Sequence, residues 1–307
     1  MPITDVQADR AWGSILGSAA GDALGSQYEF GPAHSDDFIP EFGTGVFGHG
    51  IGEWTDDTSM AVPILEWAAE PDKPLVSILQ RWILWSNDAK DVGNQTRSVL
   101  SKLNPSSTIL EEEALKLSAK WHESSGRSAG NGSLMRVGPY ALYGIEREID
   151  LATLSRITKW THFEKDNFVA SALWIDSIRQ AILTGEFSME QSLSNFGLDS
   201  DEKWVQVVKK AIAPETHPRD YKETNGWVVS AFGGALSAVV QSTSLEDALY
   251  RAIRGGGDTD TVAAIAGSLA GAVYGAAAAP ELWTDTIYGW PGYSLDELQA
   301  LTLKAIF

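Results

Sequence analysis

Apolar positions along this chain recur mainly at helical spacing, and convincing runs of alternating polar and apolar residues are absent. The turn signal Asn131-Gly132 has no alternating residues on either side, so it does not indicate a hairpin. The pattern predicts an all-α chain of ten or more helices, with long loops on one face. The predicted helices span residues 10–25, 58–70, 74–86, 109–122, 137–147, 151–160, 165–183, 201–213, 226–241, 245–254 and 260–279. A polar turn at residues 91–97 leads into one further predicted helix.

Two of the predicted helices are unusually rich in small residues. Gly13, Gly17, Gly21 and Gly25 recur every four residues, which places them on one helix face. Glycine weakens a helix, so such a stripe indicates a closely packed neighbour, and Asp22 beside it is expected to be a buried polar anchor. The uncharged stretch 261–280 consists mainly of Ala and Gly, which offer little transfer energy to a membrane. It is therefore interpreted as a buried helix of a soluble bundle.

Composition narrows the class of protein. The chain has 307 residues, 44% of them hydrophobic, with no linker-like or low-complexity segment, so a single domain over residues 1–307 is expected. Its 23 basic and 41 acidic residues give a net charge of −18, which argues against nucleic acid or an acidic membrane surface as a partner but does not exclude a small phosphorylated ligand. The absence of Cys excludes disulfides, thiol nucleophiles and Cys-ligated metals, and it fits a cytoplasmic location. No signal peptide is expected from the N-terminal residues.

The most distinctive motifs are two Asp/Thr clusters about two hundred residues apart, each preceding an apolar helical run. They are Thr55-Asp56-Asp57-Thr58 and Asp258-Thr259-Asp260-Thr261, the latter after three glycines. Neighbouring carboxylates repel one another and are costly to bury without a cation, and carboxylate and hydroxyl oxygens suit Mg²⁺, Mn²⁺ or Ca²⁺. The two clusters can supply the halves of a two-metal site. The same residue types are also the usual helix N-caps, and the pattern alone leaves both interpretations open.

A longer set of motifs resembles the ADP-ribosylglycohydrolase family, which includes the dinitrogen-reductase-activating glycohydrolases. The motifs occur in the family's order and extend from about residue 12 to residue 275. Several matches in order are far more specific than any one alone. They are Gly21-Asp22-Ala23-Leu24-Gly25, Glu29, Thr55-Asp56-Asp57-Thr58, Asp91 with Gly93-Asn94-Gln95-Thr96, Gly130-Asn131-Gly132 with Met135-Arg136, Thr161-His162, and Gly256-Gly257-Asp258-Thr259-Asp260-Thr261.

The resemblance implies a compact all-α fold with two Mg²⁺ or Mn²⁺ ions in a cleft lined by loops and helix N-termini. Position by position, it implies that one ion is bound by Thr55, Asp56 and Asp57. The other ion would be bound by Asp258, Asp260 and Thr261. Asp91 and Glu29 match acidic positions near the metals and are the candidate acid/base residues, in no order of preference. Taken alone, Asp91 also fits a turn or N-cap, and Glu29 a surface or structural position.

The resemblance also implies a set of substrate-binding residues. The loop Gly130, Asn131, Gly132 and Ser133 matches the segment that holds the diphosphate of ADP-ribose, and small residues do expose backbone N–H groups for phosphate. Asn94 and His162 match substrate-side positions, although a lone His at a helix start is usually structural. Ala129, just before the loop, offers no aromatic ring, so adenine contacts must come from elsewhere.

The implied activity is metal-dependent hydrolysis of the glycosidic bond at C1″, which releases ADP-ribose from an acceptor, most simply an arginine of a protein. The expected partners are ADP-ribose and an ADP-ribosylated protein, with no membrane. The oligomeric state is open, with a monomer expected.

Two alternatives to this function also stay open. One is another linkage: serine, O-acetyl-ADP-ribose or nucleic acid, the last disfavoured by the negative charge. The other is a non-catalytic, crystallin-like binding role, against which the intact Asp/Thr clusters speak.

Overall fold

The computed structural model describes residues 3–307, and nearly all regular structure in that range is helical. One short antiparallel pairing joins β1 (Tyr288–Gly289) to β2 (Tyr293–Ser294). This confirms the predicted all-α class. The helices are α1 (Asp5–Gly25), α2 (Asp56–Ala69), α3 (Val76–Ser86), α4 (Asn94–Leu100), α5 (Leu110–Ser125), α6 (Leu151–Lys159), α7 (Lys165–Thr184), α8 (Met189–Asn195), α9 (Glu202–Ile212), α10 (Val228–Val240), α11 (Leu245–Arg254), α12 (Thr259–Tyr274), α13 (Glu281–Thr286) and α14 (Leu295–Ile306).

Three predicted helices differ from the structure for identifiable reasons. Helix α1 begins at Asp5 and not at residue 10, because Thr4 and Gln7 form a capping box there. Residues 137–147 form only a short 3₁₀ turn, Gly138–Ala141, and the chain leaves helical geometry at Gly144, which has a φ of +59°. The helix predicted to reach residue 279 ends at Tyr274, since Gly275 has a φ of +80°. Helices α8, α13 and α14 were not predicted. Helices α8 and α13 are too short to show a clear helical period of apolar residues. Helix α14 does carry a sequence signal for its start, a capping box formed by Ser294 and Glu297.

The glycine stripe of α1 packs directly on α12, and the two helices run antiparallel. A Cβ added at Gly13 would lie 2.2 Å from the Gly271 carbonyl oxygen, and one at Gly17 would lie 2.3 Å from that of Gly267. At the end of the stripe, a Cβ on Gly25 would lie 2.6 Å from the Cα of Asp260. The close approach of the two backbones therefore places the C-terminal end of α1 against the N-terminal end of α12, where the acidic residues lie.

Helix α12 also decides how the uncharged stretch 261–280 is interpreted. Its residues from Thr259 to Ala272 are all buried, with α1, α7, α10 and α11 packed around it. Within residues 3–307, no helix combines the length and the apolar character needed to cross a membrane. The interpretation of this stretch as a buried helix of the bundle is thus confirmed up to Ala272, whereas residues 275–280 lie beyond the helix.

Candidate metal and substrate site

Carboxylates from distant parts of the chain converge where α1, α2 and α12 meet. One oxygen each from Asp22, Asp57 and Asp260 lies within 4.8 Å of the other two. Oxygens of Glu29, Asp258 and Asp260 form a second group within the same distance limit. Asp260 belongs to both groups and joins them into one acidic cluster. The structure therefore brings together the two Asp/Thr clusters that the sequence analysis had paired.

Asp22 holds the first of these motifs in position. Its carboxylate, which is fully buried, accepts hydrogen bonds from the backbone N–H groups of Thr55 and Thr58, each at 2.9 Å. It also accepts one from the Thr55 hydroxyl at 2.8 Å. These bonds satisfy N–H groups at the start of α2 and tie that helix to α1. Asp22 is the buried anchor that its place beside the glycine stripe predicted, and the structure adds it to the acidic cluster.

Threonine hydroxyls bridge the two Asp/Thr motifs. Thr55 Oγ1 lies 3.2 Å from Asp57 Oδ2 and 3.5 Å from Asp260 Oδ2. From the other motif, Thr261 Oγ1 lies 3.3 Å from the same Asp57 oxygen. The second oxygen of Asp57 is buried and has no hydrogen-bond partner. A buried, unpaired carboxylate oxygen in this position is a free ligand for a cation.

The acidic cluster has no protein counter-charge: among residues 3–307, no Lys or Arg side chain forms an ion pair with it. Burial, followed by repulsion from Asp22, raises the pKa of Asp57 well above its usual range. Burial and repulsion from Asp57 do the same to the pKa of Asp260. Burial, then the charge of Asp258, raises the pKa of Glu29 to about 9. Carboxylates this close need protons or a cation, and an all-oxygen set fits Mg²⁺ or Mn²⁺ better than Zn²⁺.

Asp56 and Asp91 lie slightly apart from this cluster. Neither belongs to the two close groups. The pKa of Asp56 is raised well above normal by burial and next by the charge of Asp91, which shows that the two are electrostatic neighbours. Burial also raises the pKa of Asp91. That Asp56 binds a metal ion and that Asp91 acts as an acid or base remain predictions.

The loop Gly130–Ser133 meets the acidic cluster through Asn131. The side-chain N–H₂ of Asn131 donates to Asp258 Oδ2 at 2.7 Å and to the carbonyl oxygen of Asn225 at 2.9 Å. Asn167 fastens the loop from the other side by donating to the Gly130 carbonyl at 2.6 Å and to Ser133 Oγ at 2.9 Å. The loop predicted to bind diphosphate is therefore held next to the predicted metal ligands.

His162 lies beneath that loop. Its ring is 2% exposed, and a Cβ added at Gly132 would lie 3.0 Å from Nε2. Its Nδ1 is 2.8 Å from the Thr161 hydroxyl. Burial and the nearby Arg136 hold the pKa of His162 well below its usual range, so the ring is neutral. These contacts support the loop. Direct contact of His162 with the substrate remains a prediction. The same holds for Asn94, which is exposed at the start of α4.

Asn225 is a residue of the site that the sequence analysis missed. Its side-chain oxygen accepts from the backbone N–H of Asp258 at 3.1 Å, and its N–H₂ donates to the Gly256 carbonyl at 2.9 Å. It thereby fixes the glycine turn that leads into α12. The only local signal is the dipeptide Asn225-Gly226, which is typical of any turn.

Two cavities with no lining residue in common adjoin the site. The larger, about 770 Å³, lies along the Gly130 loop and is lined by Gln95, Ser128 and the 42% exposed ring of Trp227. We call it the Trp227 cavity. The other, about 330 Å³, is lined by Asp56, Asp91 and aromatic residues including Trp290, and we call it the Trp290 cavity.

Metal-free protein is expected to lose stability as the pH rises from about 5 to about 9. The raised carboxyl pKa values mean that the folded chain keeps protons that the unfolded chain releases above about pH 4. Rising pH therefore favours the unfolded chain until these groups have titrated. Thermal midpoints measured in EDTA across this range test the prediction. A midpoint that rises with pH in EDTA would contradict it, whereas Mg²⁺ should reduce the loss, since it requires ionised ligands.

Comparisons with known proteins point to the same family over nearly the whole chain. A family profile described as ADP-ribosylglycohydrolase matches residues 3–306. ADP-ribosylarginine hydrolase Tri1 of Pseudomonas putida (strain GB-1) is 30% identical over 316 residues, covering 93% of this chain and 76% of the relative. ADP-ribosyl-dinitrogen reductase glycohydrolase of Rhodospirillum rubrum is 28% identical, covering 90% and 89%. A solved ADP-ribosylglycohydrolase-related protein complex matches with a TM-score of 0.71 at 25% identity, covering 99% of both chains.

Proposed function

Because the chain belongs to the ADP-ribosylglycohydrolase family and is therefore a glycosidic-bond hydrolase, we propose that it removes ADP-ribose from arginine side chains in a metal-dependent reaction. The observation that carries this proposal is the buried acidic cluster between the Gly130 loop and the Trp290 cavity. Its carboxylates have no cationic partner among residues 3–307, and Asp57 keeps a buried oxygen free. A purely structural helix junction gains nothing from such an arrangement.

The two Asp/Thr motifs are the proposed metal ligands. Thr55, Asp56 and Asp57 would hold one ion. Asp258, Asp260 and Thr261 would hold the other. The chemistry supplied by bound Mg²⁺ or Mn²⁺ would be that of a Lewis acid, which orients the ribose diol and lowers the pKa of water. Both oxygens of Asp22 already accept backbone N–H bonds, so we assign Asp22 a positioning role.

The Gly130 loop and the Trp227 cavity are the proposed site for the ADP portion. Small residues in the loop leave backbone N–H groups accessible to the diphosphate. The exposed ring of Trp227 supplies the aromatic surface that Ala129 lacks, and it lies at the Gly130 loop, to which residue 227 is paired in a β-bridge. Adenine stacked there would leave the ribose at the acidic cluster, beside Asn131.

Asp91 and Glu29 remain the two candidates for proton transfer. In the proposed step, the oxygen of a water bonds to C1″ as the C1″–nitrogen bond breaks, and a carboxylate takes a proton from that water. The departing guanidine takes up a proton and leaves as guanidinium. Asp91 lines the Trp290 cavity, whereas Glu29 approaches Asp258 and Asp260. We therefore favour Asp91 for exchange with the departing group. Glu29, whose raised pKa would fall beside a bound cation, would stabilise the positive charge that develops on the ribose.

Removal of metal is expected to stop the reaction. Purified protein incubated with an arginine-ADP-ribosylated peptide should release ADP-ribose with Mg²⁺ or Mn²⁺ and should release at least about a hundredfold less with EDTA. Mass spectrometry quantifies the released ADP-ribose, and re-adding metal in excess over EDTA is the control for irreversible damage. A serine-linked peptide assayed in parallel tests the acceptor. Equal release with and without EDTA would refute metal dependence, and faster release from serine would refute the arginine assignment.

A further inference from the structure

The Trp290 cavity is not used by the ADP portion of the proposed substrate. It is lined by Asp56 and Asp91, the acids beside the acidic cluster, and shares no lining residue with the Trp227 cavity. If ADP-ribose lies along the Gly130 loop with its ribose at the cluster, the bond to be broken points away from that loop. The Trp290 cavity is the neighbouring space in which the acceptor side chain would lie.

We infer, on the basis of the proposed function, that the Trp290 cavity is a binding site for the guanidinium group of the acceptor arginine. Asp88, Tyr288 and His49 are the proposed recognition residues. Each lines this cavity, and none is among the residues that the family resemblance singled out.

The charges around the cavity favour a cation. Its one lysine, Lys90, is already engaged, with Nζ 2.8 Å and 2.6 Å from the two carboxylate oxygens of Glu53. Asp88 forms no ion pair within residues 3–307 and lies at the exposed rim of the cavity, whose wall also holds the carboxyl groups of Asp56 and Asp91. A phosphate or other anionic group would meet unfavourable charge here, whereas a guanidinium would meet a free carboxylate.

The walls of the cavity fit a planar cation. Trp85, Tyr288 and Trp290 contribute aromatic surface, and Tyr288 is the most accessible of the three at 45% exposed. Guanidinium groups stack on such rings. The chain itself has an example at the margin of this cavity, where the guanidinium of Arg81 lies 4.5 Å from the ring centroid of Trp290. Arg81 is held by Glu66 and does not line the cavity, so it does not fill it.

A buried histidine also lines the proposed site. His49 is 5% exposed and lines the cavity, and its Nδ1 has no hydrogen-bond partner among the described residues. Burial lowers the pKa of His49, which favours the neutral ring with one nitrogen able to accept. A guanidinium offers five N–H donors, whereas a serine hydroxyl or an acetate leaving group offers one or none. His49 thus adds a polar wall to the cavity beside its aromatic rings.

Binding of the free acceptor tests the inference separately from hydrolysis. Nα-acetyl-arginine methylamide is titrated by ligand-observed NMR into protein saturated with ADP-ribose and Mg²⁺, with the uncharged isostere Nα-acetyl-citrulline methylamide as comparison. We expect about tenfold tighter binding of the arginine compound. Asp88→Asn and Tyr288→Leu should each weaken it about threefold to tenfold, because one removes the free charge and the other the stacking surface. The matched control Asp72→Asn, at an exposed acid outside the cavity, should leave it unchanged.

The outcomes separate this inference from the proposed function. Equal binding of the arginine and citrulline compounds, or unchanged binding in both cavity variants, overturns the inference even if the protein hydrolyses arginine-linked ADP-ribose. Selective arginine binding that the cavity variants weaken supports it, even if the hydrolysis assay on arginine-linked peptide fails. In that second case the proposed reaction, and not the guanidinium site, is what has been refuted.

Discussion

An Asp260→Asn variant is expected to lose about a thousandfold or more in kcat for ADP-ribosyl-arginine hydrolysis, while its metal-free form becomes more stable than the wild type. Asp260 belongs to both close carboxylate groups, so its removal disturbs both proposed metal positions at once. Asn has nearly the same shape but carries no charge. Hydrolysis rates with saturating Mg²⁺ or Mn²⁺ give the first part of the prediction.

The gain in stability has a separate physical cause. Asp260 is 2% exposed and is repelled by Asp57 and Glu29, so without metal its charge is costly in the folded chain. Thermal midpoints in EDTA should therefore rise by a few degrees in the variant, as expected for about 1 kcal/mol in a chain of this size. Added Mg²⁺ should raise the midpoint of the wild type much more than that of the variant.

The exposed Asp72→Asn change is the matched control for the Asp260 prediction, because it removes one carboxylate far from the acidic cluster. It should leave both the rate and the midpoint nearly unchanged. Full activity of Asp260→Asn would refute the proposed role of this residue. A lowered midpoint in EDTA would show that the carboxylate stabilises the metal-free fold, contrary to the electrostatic argument.

A Gly267→Val variant is expected to be destabilised by more than about 3 kcal/mol and to lose the native fold at modest urea concentration. A Cβ at this position would lie 2.0 Å from the Gly17 carbonyl oxygen and 2.5 Å from the carbonyl carbon. Both atoms belong to the backbone of α1, so no side chain can move aside. Relief requires separating α1 from α12, the pair that brings Asp22 and Asp260 together.

Urea unfolding followed by tryptophan fluorescence measures this effect. Gly93→Ala is the control, because a Cβ at Gly93 meets no atom within 4 Å and its φ of −52° suits any residue. It should cost less than about 1 kcal/mol as an N-cap change. If Gly267→Val unfolds within about 1 kcal/mol of the wild type, the direct packing of α1 on α12 is not essential to the fold.

Local signals in the sequence were sufficient for the class of fold and for picking out the two Asp/Thr motifs. Helical spacing predicted most of the helices, because the side chains of a helix repeat their direction every 3.6 residues wherever one face is buried. The stripe from Gly13 to Gly25 indicated a close neighbour, and the two Asp/Thr motifs indicated a shared oxygen-rich site. Where the prediction failed, at residues 137–147, a glycine with positive φ outweighed the apolar pattern.

Only the tertiary structure decided which of these features meet. The sequence predicted a neighbour for the α1 glycines, but the register with Gly267 and Gly271 depends on backbone contacts between segments some 250 residues apart. That register makes Asp22 a member of the acidic cluster. In the same way, Asn225 acquires its role only because its turn packs against Asp258. Such contacts follow from the packing of the whole chain, which minimises voids and unpaired polar groups, and a local pattern of residue types does not contain them.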